Sequence, residues 1–144
     1  MGLYLTIKNA LYDQLVAGLT TQSIKADVHK VHYQNIAFFP SLAFELQKRR
    51  KVKKGLGVSE VEFTILVWVY SNILDAEDAE EECIELLNVV EKIIESDKTL
   101  GGTVAYLSID DEAEFGQVET GEANFLQGAR LPVLIRSKPI PKEV

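Results

Sequence analysis

The residues of this 144-residue chain that most often carry acid–base or metal chemistry are its two histidines and its single cysteine. His29 and His32 lie three positions apart beside Asp27, a spacing that could begin a metal site on a helix. No third and fourth ligand with suitable spacing follows, so the sequence favours surface histidines. Cys83 has glutamates as neighbours, whereas a reactive thiolate needs a cationic setting. Because Cys83 also falls on an apolar helical stripe, the sequence predicts a core residue rather than a nucleophile.

The glycine-containing segments do not have the order of a phosphate-binding loop. Gly101-Gly102 follows a predicted helix and Gly55-Leu56-Gly57 precedes a predicted strand, whereas such a loop joins a strand to a helix. The chain also lacks a nucleophile elbow and a metalloprotease helix motif. Paired carboxylates for glycoside chemistry are an alternative use of its many acids, but a solvated acidic face is the simpler interpretation. The sequence therefore predicts a non-enzymatic protein without a cofactor.

One local feature, a cluster of basic residues, indicates a binding partner. Six of the 15 basic residues fall within seven positions, and they are Lys48, Arg49, Arg50, Lys51, Lys53 and Lys54. A flexible basic loop could contact phosphates or an acidic protein surface, and the alternative is a solvated hairpin tip whose charge discourages aggregation. No aromatic residue lies within the run and the net charge is −7, so sequence-specific nucleic-acid recognition is not expected.

Acidic residues are concentrated elsewhere, in Asp75–Glu85 and Asp110–Glu122. Opposite local fields can steer a molecule toward partners or toward copies of itself. The composition, 47% hydrophobic and 26% charged, is typical of globular proteins. No apolar run approaches the roughly 20 residues of a membrane span, and one cysteine cannot form an internal disulfide, which fits a reducing compartment.

Hydrophobic spacing predicts two helices. From Leu3 to about Leu19, apolar residues recur every four positions, and Gly18 with Thr20-Thr21 is expected to end this helix. Asp75 to Glu95 repeats apolar residues at spacings of four and three, with Asp75 as its N-cap. Glutamates and aspartates crowd the first two turns of this second helix, where the helix dipole favours negative charge.

Period-two hydrophobicity predicts the strands. The strongest alternation, Val61–Tyr70, becomes apolar on both faces toward its end, so this strand should be central. Further strands are predicted at Ile36–Leu46, which is interrupted by Pro40, at Thr103–Ile109, at Ala129–Arg136 and, more weakly, at Ile24–Val31. Pro132 favours an edge position for Ala129–Arg136, because proline removes a ladder donor. Lys48–Gly57 is predicted to be a loop, and Asp110–Gly121 a long hairpin loop or a frayed strand.

The order of elements predicts the fold class. One helix, two or three strands, a second helix and two strands indicate an α+β fold with a single, mainly antiparallel sheet of four to five strands and two helices packed on one face. No repeat or linker divides the chain. Residues 1–136 are therefore predicted to form one domain, and residues 137–144 an extended C-terminal tail.

Several features of this layout occur together, and in chain order they are Leu3–Leu19, Phe38-Phe39-Pro40, Val61–Tyr70, Ile93–Val104 and Arg130–Ile135. In the fourth of these, an apolar helix is followed by Asp97, by Leu100-Gly101-Gly102 and by a strand. The layout resembles that of the tail terminator (tail completion) proteins of long-tailed bacteriophages. The resemblance covers almost the whole chain without an invariant signature, and Asp110–Glu122 matches nothing in the family.

The resemblance implies a structural virion protein of the tail–neck region, assembled in the host cytoplasm. Such a protein forms a hexameric ring that caps the finished tail tube and docks to the head–neck connector. Lys48–Lys54 would then meet the tube protein, the connector or DNA passing through the lumen. Two alternatives stay open: another head–tail joining or neck protein, and a small protein-binding module that uses the basic loop. Neither a metal nor a membrane is implied.

Overall fold

The computed structural model describes residues 2–30, 40–53, 55, 57–110, 112–119 and 125–141. These residues form two helices and one seven-stranded sheet, so the predicted α+β class is confirmed. The elements are α1 (Leu3–Thr21), β1 (Asp27–His29), β2 (Ser41–Lys53), β3 (Val58–Ser71), α2 (Ala76–Ser96), β4 (Tyr106–Ile109), β5 (Glu114–Glu119), β6 (Phe125–Arg136) and β7 (Ile140–Pro141). The strands exceed the predicted four to five because short strands form within segments expected to be irregular.

The sheet has the strand order β1-β2-β3-β6-β4, while β5 also pairs with β6 and β7 pairs with β3. All of these pairings are antiparallel except that of β1 with β2. β3 lies between β2 and β6, so its predicted central position is confirmed. Leu66 and Tyr70 are buried on the face opposite the helices, which explains why both faces of β3 become apolar.

Both helices pack on one face of this sheet, as predicted. α1 buries a stripe of three leucines and one isoleucine. The same core includes alternate residues of β3, namely Val61, Phe63, Ile65, Val67 and Val69. Each such side chain contributes about 1.5–3 kcal/mol when it leaves water. α2 begins as the sequence predicts, because the Asp75 carboxylate accepts a hydrogen bond from the Asp78 amide at 3.0 Å. The core therefore follows directly from the hydrophobic spacing.

The prediction that Gly18 helps to end α1 was wrong. The helix continues through Thr21, and Gly18 lies where α1 crosses α2. A Cβ atom at this position would be 2.6 Å from Cγ2 of Ile93. Gly18 therefore serves the close approach of two helices rather than a helix end.

The prediction that Ala129–Arg136 is an edge strand was also wrong, because β6 pairs with β3 on one side and with β4 and β5 on the other. The Pro132 carbonyl accepts a hydrogen bond from the Asp110 amide at 3.0 Å. Because the N and C=O of one strand residue face the same side, the Pro132 nitrogen faces the gap between the end of β4 and the start of β5. The bond that this proline cannot donate would therefore point toward Asp110, just past the end of β4, so the ladders of β6 with β3 and β4 stay intact.

Strands form in the segment predicted to be a hairpin loop or a frayed strand and in the predicted C-terminal tail. Within Asp110–Gly121, Glu114–Glu119 pairs with β6, and β4 is shorter than the predicted Thr103–Ile109. In the predicted tail, Ile140–Pro141 pairs with the first residues of β3. Ser137 is joined to Val61 by two hydrogen bonds of 2.8 Å. The Val61 amide donates to the Ser137 hydroxyl, and the Ser137 amide donates to the Val61 carbonyl. The sheet supplies partners for these segments that the local sequence does not reveal.

Candidate functional site

The basic cluster lies on a strand, so the prediction of a loop at Lys48–Gly57 was wrong. Lys48, Arg49, Arg50, Lys51 and Lys53 all belong to β2 and are exposed, while Lys54 lies outside the described residues. We call the stretch Lys48–Lys53 the basic edge. Beyond Ala43, no strand among the described residues pairs with the outer side of β2.

The partner strand explains why a run of cations adopts extended structure. The basic edge pairs with Ser59–Thr64 of β3, and β3 is itself fixed in the sheet by β6 and β7. Gly55 and Gly57 have φ angles of 116° and 79°, which favour glycine, so they suit the turn between the strands. Charged side chains at an outer edge stay hydrated and discourage unwanted strand pairing. Tertiary pairing thus overrides the weak strand propensity of lysine.

Strand alternation divides the five cations between the two faces of the sheet. Lys48 and Arg50 oppose Thr64 and Glu62, so they lie on the face without helices. Arg49, Lys51 and Lys53 oppose Phe63, Val61 and Ser59, so they lie on the helix-bearing face and form what we call the cationic row.

On the face without helices, the basic edge is compensated by glutamates. Arg50 Nη2 lies 3.3 Å from Glu62 Oε1, and Arg136 Nη2 lies 2.7 Å from Glu62 Oε2. Arg136 Nε is also 3.6 Å from Glu60 Oε2. The hydrogen bond from Arg136, followed by the charge of Arg50, holds the pKa of Glu62 below its ordinary value. The same contact raises the pKa of Arg136. Glu62 thus joins β2, β3 and β6.

The same face carries a second ion pair and stacked aromatic rings. Arg130 donates to Glu114 Oε2 at 2.7 and 3.0 Å and lies 5.7 Å from the Trp68 ring centre. The Trp68 and Tyr70 rings stack with centroids 5.8 Å apart. Sequence analysis missed this arrangement, although placing Glu62 and Arg136 in register would have found part of it. Because its arginines are paired with glutamates, Lys48 is the one described residue of the basic edge on this face without an ion pair.

The cationic row on the helix-bearing face is different. Within the described residues, Arg49, Lys51 and Lys53 form no ion pair, and neither does Lys48. Their register partners Phe63 and Val61 are buried apolar residues, and the Tyr4 ring of α1 lies 5.5 Å from the Phe63 ring. This row holds three of the four cations of the basic edge whose charge is available to a partner, and Lys48 on the other face is the fourth.

The outer face of α2 has the opposite charge. Glu77, Glu81 and Glu85 are exposed at helical spacing, and we call them the acidic row. None of them forms an ion pair with another described residue. The molecule thus has two uncompensated rows of opposite sign.

Of the other residues singled out from the sequence, the described Cys83 and His29 lie on different elements, α2 and β1. Cys83 is 1% exposed, as predicted, and burial together with Glu82 raises the pKa of its thiol to about 11. His29 Nε2 lies 3.5 Å from Asp27 Oδ2, and His32 is outside the described residues. Within the part of the chain that the structure describes, no three His, Cys, Asp or Glu side chains are grouped to hold a metal ion.

An open groove lies between α1 and the turn after α2, and the polar groups that line it form hydrogen bonds that hold these two segments in place. Gln14 Nε2 donates to the carbonyls of Ile93, Ile94 and Asp97 at 2.8, 3.3 and 3.3 Å, which caps the end of α2. The Asp97 carboxylate accepts hydrogen bonds from the Thr99 amide and hydroxyl and from the Gly101 amide. These contacts lower the pKa of Asp97, with the Thr99 hydroxyl as the largest cause.

No protein-family model matches this chain, and no curated protein sequence does so either. The described helices include none that is both long and apolar enough to cross a membrane. The distinguishing groups of the described residues are exposed charges carried by a strand and a helix.

Proposed function

We propose that this protein is a structural subunit that binds copies of itself and forms a ring of the tail terminator type at the end of a phage tail tube. One observation carries the proposal: the cluster that calls for a partner lies along the exposed outer edge of a rigid sheet. A rigid charged edge is suited to fixed contacts between protein surfaces, whereas a flexible loop pays an ordering cost on binding.

The mechanism is geometric. A contact between two different surfaces of the same chain repeats from copy to copy and closes into a ring when the rotation permits. A ring seated on the last layer of the tube covers the surface to which the next tube subunits would bind. It stops elongation and presents a new face to the neck or connector protein in the virion.

The passage that carries the resemblance also supports the proposal, because its residues have defined structural roles. Asp97 organises the turn after α2, and Leu100 and Val104 are buried at 3% and 1% exposure before β4 begins. This turn connects α2 rigidly to the sheet. A fixed relation between the α2 surface and the basic edge is what a repeating ring contact requires.

Co-expression with the tail tube protein encoded in the same genome tests the proposal. We expect tubes of limited length with a ring of this protein at one end, visible by electron microscopy. Tubes made without it should grow to variable lengths. Tubes that are unaffected by the protein, together with a chain that stays monomeric beside them, would contradict a terminator role.

A second candidate function is a small binding module that holds an acidic partner protein with the basic edge. The exposure of all five described cations of the basic edge favours it. Charge reversal of Lys48, Arg49, Arg50 and Lys51 discriminates between the two functions. Loss of partner binding while a ring survives would favour the module, and a ring bound to the connector but not to the tube would indicate another neck role.

A further inference from the structure

The cationic row has a regular spacing. Arg49, Lys51 and Lys53 alternate along one face of β2, and alternate strand residues are about 6.7 Å apart. All three side chains are exposed and form no ion pair with another described residue. The row is therefore a line of three cations about 13 Å long.

The acidic row has nearly the same spacing. Glu77, Glu81 and Glu85 are four residues apart on α2, and each step of four residues advances about 6 Å along a helix. Residues at this spacing lie on one face. A strand edge and a helix face thus present three charges each, of opposite sign and with matching separation.

The two rows cannot meet within one chain. Lys53 and Lys51 pair with Ser59 and Val61 at the start of β3. The acidic row flanks Cys83, whose Sγ donates to the Gln127 carbonyl at 3.5 Å, and Gln127 is the register partner of Ser71 at the other end of β3. Phe63, the register partner of Arg49 at the near end of the cationic row, is eight residues or about 26 Å from Ser71 along β3, more than the Debye length of about 8 Å at physiological salt.

The rows also lie on different sides of the helix layer. α2 contacts β3 and β6, whereas α1 contacts α2 and β1. Because β2 lies between β1 and β3 in the sheet, α1 stands between α2 and the outer edge of β2. α1 therefore separates the two charged rows, and none of their members forms an ion pair with another described residue.

We propose that the cationic row of one copy docks on the acidic row of the next copy, and that this head-to-tail contact joins the subunits. The inference rests on the proposed ring for its closure, but the contact itself follows from the placement and spacing of the charges. Each copy offers one row of each sign, so every copy binds two neighbours through different surfaces. Such a heterologous contact generates a ring or a filament, depending on the rotation between copies.

Charge swapping tests the contact directly. One variant reverses the cationic row with Arg49→Glu, Lys51→Glu and Lys53→Glu, and a second reverses the acidic row with Glu77→Lys, Glu81→Lys and Glu85→Lys. A third carries all six substitutions. Association is measured by sedimentation velocity over a range of concentrations at low and at high salt. Matched controls reverse the same number of exposed charges elsewhere, with Lys25→Glu, Lys98→Glu and Lys138→Glu, and with Asp13→Lys, Glu95→Lys and Glu112→Lys.

We expect the wild-type chain to associate at low salt and to dissociate as salt rises, because exposed charges are screened. Each three-residue reversal should raise the dissociation constant on the order of 100-fold, since attraction becomes repulsion. The six-residue variant should associate again, and so should a mixture of the two three-residue variants, because opposite rows face each other in both cases. The controls should change the dissociation constant less than about threefold.

Several results would overturn the inference. A wild-type chain that remains monomeric at low salt and high concentration excludes the contact, and so do row variants that associate as the wild type does. If reversal of the cationic row weakens association and the six-residue variant does not restore it, the row binds something other than α2. Rings on tail tubes that are insensitive to these variants would refute this contact and leave the proposed function standing. Association that depends on the two rows, without any effect on tubes, would support this contact and contradict the proposed function.

Discussion

Gly18 and Gln14 show how single residues fix the packing of the two helices. The sequence alone suggests ordinary roles for both residues, because Gly18 lies near a helix end and Gln14 is a polar residue between apolar ones. In the structure, Gly18 lets α1 approach Ile93 of α2, and Gln14 caps the end of α2. Local sequence could not reveal either role, because both depend on residues more than 70 positions away.

The substitution Gly18→Ala tests the close approach. The added Cβ would lie 2.6 Å from Cγ2 of Ile93, whose branched side chain is buried in the core. Although alanine favours a helix by about 1 kcal/mol, we expect this substitution to lower the free energy of unfolding by about 1–3 kcal/mol. Urea denaturation measures the change.

The control is Gly116→Ala, because a Cβ at Gly116 meets nothing within 4 Å and its backbone needs no positive φ. We expect the free energy of unfolding of this variant to stay within about 0.5 kcal/mol of the wild type. A Gly18→Ala protein as stable as the Gly116→Ala protein would show that the helices do not pack as described.

At the scale of elements, the sequence predicted what local periodicity encodes. The strand Val61–Tyr70 and the two helices are confirmed, because each has a strong hydrophobic period of 2 or 3.6. The basic edge was predicted to be a loop, and the segment that contains β5 a hairpin loop or a frayed strand, because lysine, glutamate and glycine have low strand propensity. Their structure comes from partners on β3 and β6 that lie far along the chain.

The residues of the candidate site were identified from the sequence, but their arrangement on the sheet was not. The six basic residues were identified from the sequence, and five of them lie on β2. Their division into a compensated face and the cationic row depends on strand register, and a bulge between Leu46 and Lys48 shifts that register. A single sequence does not encode the position of such a bulge in a recognisable way.

Glu62 tests whether β2, β3 and β6 are joined as described. Its pKa is lowered in the folded state by Arg136 and Arg50, so its stabilising contribution is present above the ordinary carboxyl pKa and is lost as pH falls through the folded value. We expect Glu62→Gln to lower the free energy of unfolding by about 1 kcal/mol at neutral pH. The difference from the wild type should shrink as pH falls below about 5, as measured by urea denaturation at several pH values.

Glu114→Gln is the matched control, because Glu114 also pairs with an arginine but its side chain is 62% exposed. Exposed ion pairs contribute about 0–1 kcal/mol, so this variant should lose less stability than Glu62→Gln at neutral pH. If the two variants are equally stable at neutral pH, or if the Glu62→Gln difference does not depend on pH, the three strands are not joined through this carboxylate.

At the scale of the whole molecule, the main feature is the separation of charge. The net charge of −7 hides a basic edge along the outer strand β2 and an acidic row on α2, which packs over β3 and β6. Separation of this kind costs free energy in an isolated chain, because like charges are held together without compensation. In the contact that we propose, assembly with further copies would bring the opposite charges together, so self-association is the central claim.

Native mass spectrometry of the wild-type chain at low ionic strength tests this central claim most directly. We predict a closed species of six copies of the 16.1 kDa chain, which should persist as concentration rises without an open-ended series of larger masses. Its abundance should fall when the ionic strength is increased. A single species at the mass of one chain, at every concentration and ionic strength, would contradict the account.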